Sequence, residues 1–214
     1  MAARTYALDE QAAKEATQGG KRITDAGCYE GKLKFAWEEE NEKGTVSVNL
    51  VFESDSGQTA GPLAVYTFNG KGEELRGFKT INSIIACMKL KGIRPQPGTV
   101  TLWDYDSRQE VQKQKDTFPS LVGPRIGLIL TTEDYEKRDG NIGSRLNISA
   151  AYNPDTRQMA NEVIDNTVAK ALDGYIAWLD KSGKWHKPLA NKSQQQSYGG
   201  RQIDEQFQDD DLNF

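Results

Sequence analysis

Aromatic rings interleaved with cations are the chemistry this chain offers. Tyr66 and Phe68 lie two apart on an extended run and precede Lys71, Arg76 and Lys79. Trp103 and Tyr105 share a strand face with Thr101 and lead into Arg108. Lys32 and Lys34 alternate with Leu33 and Phe35, and Arg145 alternates with Leu146. Such pairings suit an unstacked nucleic-acid strand, with rings on the bases and ammonium or guanidinium groups on the phosphates. Period-two aromatics also fill the interior of a small barrel, so Phe35, Trp37, Tyr135 and Tyr152 read equally well as core. A single Lys or Arg is equally at home on a solvated surface.

A second signal is Asp209-Asp210-Asp211-Leu212-Asn213-Phe214. Dense negative charge ending in an apolar residue and a ring can seat Phe214 in a partner's pocket while the aspartates meet cations around its rim. It can also stand in for phosphate on the protein's own cationic groove, or simply keep the chain soluble. Residues 191–208 before it contain Gln194-Gln195-Gln196 and Gly199-Gly200 and little apolar content, the composition of a flexible linker.

The net charge of −4 does not exclude nucleic acid, because of where it lies. Residues 200–214 set Arg201 against Asp204, Glu205, Asp209, Asp210 and Asp211, which accounts for all of it. Residues 70–100 carry Lys71, Arg76, Lys79, Lys89, Lys91 and Arg94 against Glu73 and Glu74. A neutral body with one basic stretch attracts phosphate locally, with a shallow dependence on salt.

Other chemistries lack their residues. His186 is the one histidine, so no Ser-His-Asp set assembles around several candidates. Cys28 and Cys87 are far apart and read as reduced core residues. No zinc spacing is present, and Gly70-Lys71-Gly72 is too short for a phosphate loop. Asp104, Asp106 and Asp155 could hold magnesium in a nuclease, which is the one enzymatic alternative. No cofactor is called for. No apolar run is long enough to span a membrane, and residues 1–20 do not read as a secretory signal.

The elements that position these residues follow from hydrophobic period. Residues 27–38 and 45–53 alternate and read as a long hairpin, with Leu33, Phe35 and Trp37 on one face of the first run and Lys32, Lys34 and Ala36 on the other. Residues 63–69 form a third strand. Leu75, Phe78, Ile81, Ile85 and Met88 recur at helical spacing, with Gly92 as C-cap glycine. Residues 99–105 read as a short strand and 106–116 as a polar excursion. Runs 125–135 and 143–152 flank Asp139-Gly140, a hairpin signal. Ile164, Val168, Ala171, Leu172, Tyr175 and Leu179 make one apolar helical stripe, packing on the body or serving as a homodimer contact.

Three strands, a helix and two strands are the order of a mainly β fold, the five-stranded OB-fold barrel with its helix between strands 3 and 4. Gly27-Cys28-Tyr29, Lys91-Gly92-Ile93, Leu121-Val122-Gly123 and the Asp209–Phe214 tip together resemble phage-encoded single-stranded DNA-binding proteins, whose tails are like those of bacterial counterparts. The tip departs at Leu212 and Asn213, where the bacterial tail has isoleucine and proline. The resemblance implies sequence-independent binding of single-stranded DNA during replication, recombination and repair in the host cytoplasm. It also implies recruitment of replication or recombination proteins through Asp209, Asp210, Asp211, Leu212 and Phe214. The expected organisation is an N-terminal extension (1–24), the barrel (25–155), a helical extension (156–190) and a linker with acidic tip (191–214). A protein-interaction adaptor without DNA binding is the other alternative.

Overall fold

The structure is a computed structural model that describes Leu8 and residues 22–104, 108–137 and 139–189. Tyr105, the linker and the tip lie outside the described residues, as does the side chain of Asp104.

Strand β1 (Gly27–Glu40) organises one antiparallel sheet. Its N-terminal half pairs with β6 (Arg125–Glu136) through Gly27–Lys32. Its C-terminal half pairs on the other edge with β2 (Val46–Ser54), from Gly31 to Glu40. Strand β3 (Thr59–Phe68) continues beyond β2, and β7 (Ile142–Tyr152) beyond β6. Strands β4 (Gln96–Asp104) and β5 (Gln109–Thr117) form a hairpin held to β1 by Trp37↔Thr117 and Glu38↔Asp116. A two-residue β8 (His186–Lys187) lies parallel to β6. The sheet is open: among the described residues no ladder joins β3 to β7.

The core forms where sequence alternation meets the side of this sheet that faces helix α1 (Arg76–Cys87). Leu33, Leu50, Phe52, Leu63, Ile126, Leu128 and Leu130 point inward and are buried. Burying a side chain such as Phe52 contributes about 1.5–3 kcal/mol. Helix α1 (Arg76–Cys87) lies across β3 and β7 and adds Ile81, Ile84 and Cys87 to the core. Ile23, ahead of β1, is buried with them. Strand β6 reads as a continuous apolar run because it is covered on both faces. Ile129 belongs with Tyr152 to a second cluster closed by Leu172 and Leu179 of helix α3 (Ala171–Ser182).

Several sequence expectations change. Eight strands replace five: the short strand expected at 99–105 is β4, the 106–116 excursion contains β5, largely polar on both faces and so without a periodic signal, and β8 adds two residues. The register slips between Leu33 and Phe35, leaving a bulge at Lys34 that reverses the faces beyond it. Ala36 therefore enters the core, while Phe35 and Trp37 face the opposite side. The left-handed residue after α1 is Lys89 (φ 56°), with Leu90 N–H on the Ile85 carbonyl, so Gly92 has no capping role. The C-terminal stripe is two helices, α2 (Ala160–Asp165) and α3, separated at left-handed Asn166. That break leaves Ile164 and Val168 exposed. Cys28 is exposed rather than core, and Cys87 is buried, which pushes its thiol up to about 11. No described helix is long and apolar enough to cross a membrane.

Gly31 marks the tightest crossing, pairing with Ser54 on one edge and Ile126 on the other. A Cβ there would collide with the Glu53 carbonyl oxygen. Gly31→Ala is expected to cost about 2 kcal/mol or more, in the range of overpacked sites, read as a lower urea midpoint.

Candidate nucleic-acid interface

The outward face of β3, β2 and β1 is the place where aromatic, polar and cationic groups converge. On β3, Leu63, Val65 and Thr67 turn inward while Ala64, Tyr66 and Phe68 turn outward. Tyr66 is 51% exposed, a large ring left on a sheet face. Phe68 is half-covered, its ring 5.3 Å from that of Phe78 on α1. Phe68 thus supports the face rather than standing free on it. Opposite Tyr66 lies Ser47; in the next row lie Ala64, Asn49, Trp37, Thr117 and Gln96, each paired with its neighbour. No acid occupies that second row. Ser47 and Asn49 are buried and joined by an Nδ2–H···Oγ bond of 3.2 Å. Trp37 is buried too, and its indole N–H meets no acceptor among the described residues. The same indole still acts on the Glu39 carboxyl and, after Lys115, helps to hold it below its usual range.

Two turns of the same construction border this face. Asn41-Glu42-Lys43-Gly44 and Asn69-Gly70-Lys71-Gly72 repeat the pattern Asn-x-Lys-Gly. In each, the Asn Oδ1 accepts the Lys N–H at 2.9 Å and the N–H two residues later at 3.0 Å. In each, the final glycine has a positive φ, 75° at Gly44 and 79° at Gly72, which its missing Cβ permits. The turns touch, since a Cβ on Gly70 would strike the Lys43 carbonyl. The backbones that carry Lys43 and Lys71 are thereby held close together. Arg76 joins them because α1 starts against β3, with Gly77 packed on the Tyr66 carbonyl. All three cations are exposed, and no described carboxylate is within ion-pair distance of any of them. Lys43 was not singled out in the sequence; the repeated tetrapeptide was the signal for it. Glu40, Glu42, Glu73 and Glu74 lie near in sequence and keep the local net charge low.

The remaining sequence candidates are placed as follows. Lys32 and Lys34 both pair with Glu53, at 3.8 and 2.9 Å. Lys79 is exposed on α1. Lys115, from β5, pairs with Glu39 at 2.8 Å and holds that carboxyl below the usual range. Trp103 is 54% exposed, but the β4–β5 register puts it with Thr99 and Thr101 on the opposite face from Tyr66. The structure does not bring Trp103 and Tyr66 together. Arg145 is taken by Glu133, whose Oε2 accepts from its Nε at 3.0 Å and Nη2 at 2.7 Å. Asp155 is bound by Arg125 at 2.7 Å, and Asp106 lies outside the described residues. Among the described residues no cluster of three or more His, Cys, Asp or Glu is arranged to hold a metal ion. His186 bridges Thr132 (3.0 Å) and Asp134 (3.2 Å), tying the end of the body to β6.

No family model matches the chain, and no curated protein matches it. The reading of the face therefore rests on its residues.

Glu133 offers a pH test of the structure around Arg145. Lys187, Arg145 and Asn147 hold its carboxyl down to about 2. A depressed acid stabilises the fold above its unfolded value near 4.5 and loses that contribution as pH falls towards 2. Discounting for solvent screening, Glu133→Gln is expected to cost about 1 kcal/mol at neutral pH. The difference between urea midpoints should shrink from pH 4.5 to 2 and vanish below.

Proposed function

We propose that the protein binds single-stranded DNA without sequence preference, on the face carrying Tyr66. The observation that carries the reading is Tyr66, exposed on the strand that leads into Lys71 and Arg76, which like Lys43 meet no carboxylate among the described residues. A ring that every base can stack on, next to cations that can take phosphate, needs no base-edge readout and so confers no sequence preference. The chain order β1, β2, β3, α1, β6, β7 is compatible with an OB-type arrangement in which β3 and β7 stay unpaired with each other among the described residues and the β4–β5 hairpin is an added arm. In OB barrels the face of the second and third strands is where oligonucleotides bind. The protein would act as a non-enzymatic coat for exposed strands in replication, recombination and repair. Its setting would be a phage-infected cell's cytoplasm, with the Asp209–Phe214 tip recruiting partner proteins. Few phosphates are neutralised at once by these cations, which supports a shallow salt dependence.

A second reading has its own observation. A cavity of about 480 Å³ lies between α2 and α3, lined by Met159, Gly174, Tyr175 and Trp178. Exposed Ile164 and Val168 belong to the same helical layer. An adaptor that docks a protein there, or a homodimer contact, would use this layer and need no DNA.

Mobility shift with labelled single and double strands separates the readings. Preferential retention of the single strand is expected, and equal or stronger retention of duplex counts against the proposal. Tyr66→Ala is expected to weaken single-strand binding by roughly 1–3 kcal/mol, about 5- to 150-fold, without loss of folding. A chain ending at Gln206 is expected to bind single strands more tightly at low salt, because the aspartates no longer compete with phosphate. Unchanged or weaker binding would leave the tip a recruiting role alone.

A further inference from the structure

A second cationic site lies at the far end of the row that crosses the face. The loop after α1 and the start of β4 enclose a cleft of about 470 Å³ lined by Lys91, Gly92, Ile93, Arg94, Gln96 and Ser120. Two cations, an amide and a hydroxyl line it, and no acid does. Lys91 and Arg94 are exposed, and no described carboxylate is within ion-pair distance of either. This sets them apart from Lys32, Lys34, Lys115, Arg125, Arg145, Arg157 and Lys187, each of which the protein neutralises itself. The cleft is also stiffened: Pro95 and Pro97 flank Gln96 and fix φ on both sides of it, so little entropy remains to be lost on binding.

Register connects this cleft to the Tyr66 face. Gln96 pairs with Thr117, Thr117 with Trp37, Trp37 with Asn49 and Asn49 with Ala64, the β3 residue two before Tyr66. Paired residues in an antiparallel ladder share a face. Five strands in a row at about 4.8 Å spacing span roughly 19 Å. The row begins at Ala64, beside Tyr66, and ends at the cleft; Asn49 and Trp37 in its middle are buried, so it sets the distance between the two sites rather than a stacking surface.

We propose that the Lys91–Arg94 cleft is a second phosphate subsite, holding the backbone of a single strand that stacks a base on exposed Tyr66 and runs towards Gln96 over the buried Asn49 and Trp37 without contacting their side chains. The inference rests on the single-strand reading of the face and adds the direction of the path and its far anchor. Arg94 offers a planar fork of donors to phosphate oxygens and Lys91 a point charge. Gln96 and Ser120 complete the donor set.

The test is the salt dependence of binding to an oligothymidylate of about 20 nucleotides, longer than the site expected of one such barrel. Each phosphate released from contact lowers the slope of log K against log salt by about 0.7 for a single strand. Lys91→Ala with Arg94→Ala is expected to reduce the slope by about 1.4, and Lys91→Arg with Arg94→Lys to restore it. Lys170→Ala with Lys181→Ala removes the same charge from α3 and should leave the slope as it was. Tyr66→Ala should weaken binding at every salt concentration without changing the slope. A thermal melt establishes that each variant is folded, and the charge-keeping swap remains informative should the double alanine variant melt early. An unchanged slope in Lys91→Ala/Arg94→Ala, or an equal fall in the α3 control, overturns the subsite while the face reading survives. A wild-type protein that retains no single strand overturns both.

Discussion

Everything in this molecule hangs on β1 changing partners midway. Over 14 residues it pairs with β6 on one edge, β2 on the other and β5 near its end. Two local devices make this work. Gly31 lets the β2 backbone come closer than any side chain would allow, and the bulge at Lys34 reverses which residues face the core. Without that reversal, Trp37 would turn inward and Ala36 outward, and the row from Ala64 to Gln96 would present different side chains. The candidate interface is thus a product of one extra residue in one strand.

Charge is sorted by the same architecture. Arg125 lies against Asp55, Asp155 and Glu30, joining β6 to the β2–β3 turn, to β1 and to the segment after β7. Glu133 gathers Arg145 and Lys187. Burial pushes Glu162 up, but backbone N–H groups of Ala171, Met159 and Lys170 outweigh it and hold the carboxyl below its usual range, locking α2 to α3. These ion pairs and hydrogen bonds serve cohesion. Among the described residues, Lys43, Lys71, Arg76, Lys91 and Arg94 have no carboxylate within ion-pair distance, and they lie in turns, a loop and the start of α1 that border the same sheet.

The alternation in β2, β3, β6 and β7 and the helical period of α1 could be read directly, because each turns an apolar side to the core and a more polar side away, although β2 and the first half of β6 are covered on both sides. What escaped reading had no such contrast. β5 is largely polar on both sides, so nothing in Gln109–Thr117 departs from a loop. The bulge is a matter of register and leaves no mark in composition. The break at Asn166 interrupts a stripe whose apolar spacing runs on unchanged through Val168, so periodicity carried one helix across two. Tyr66 was legible because its strand neighbours assign its face. Lys43 was not, since its importance comes from a turn brought beside a second turn some 28 residues away. Arg145 could not be discounted before Glu133 was seen across the ladder.

The β4–β5 hairpin is held to the rest of the sheet by two residue pairs, the Lys115–Glu39 ion pair and the buried Phe118 that follows it, whose N–H bonds the Ala36 carbonyl. Most of its side chains lie outside both core clusters. Its length is therefore nearly decoupled from folding. Residues could be added or removed beyond Val100 and Lys113 with little repacking below. Such an arm is a natural place for reach and partner preference to be retuned, leaving the architecture beneath it unaltered.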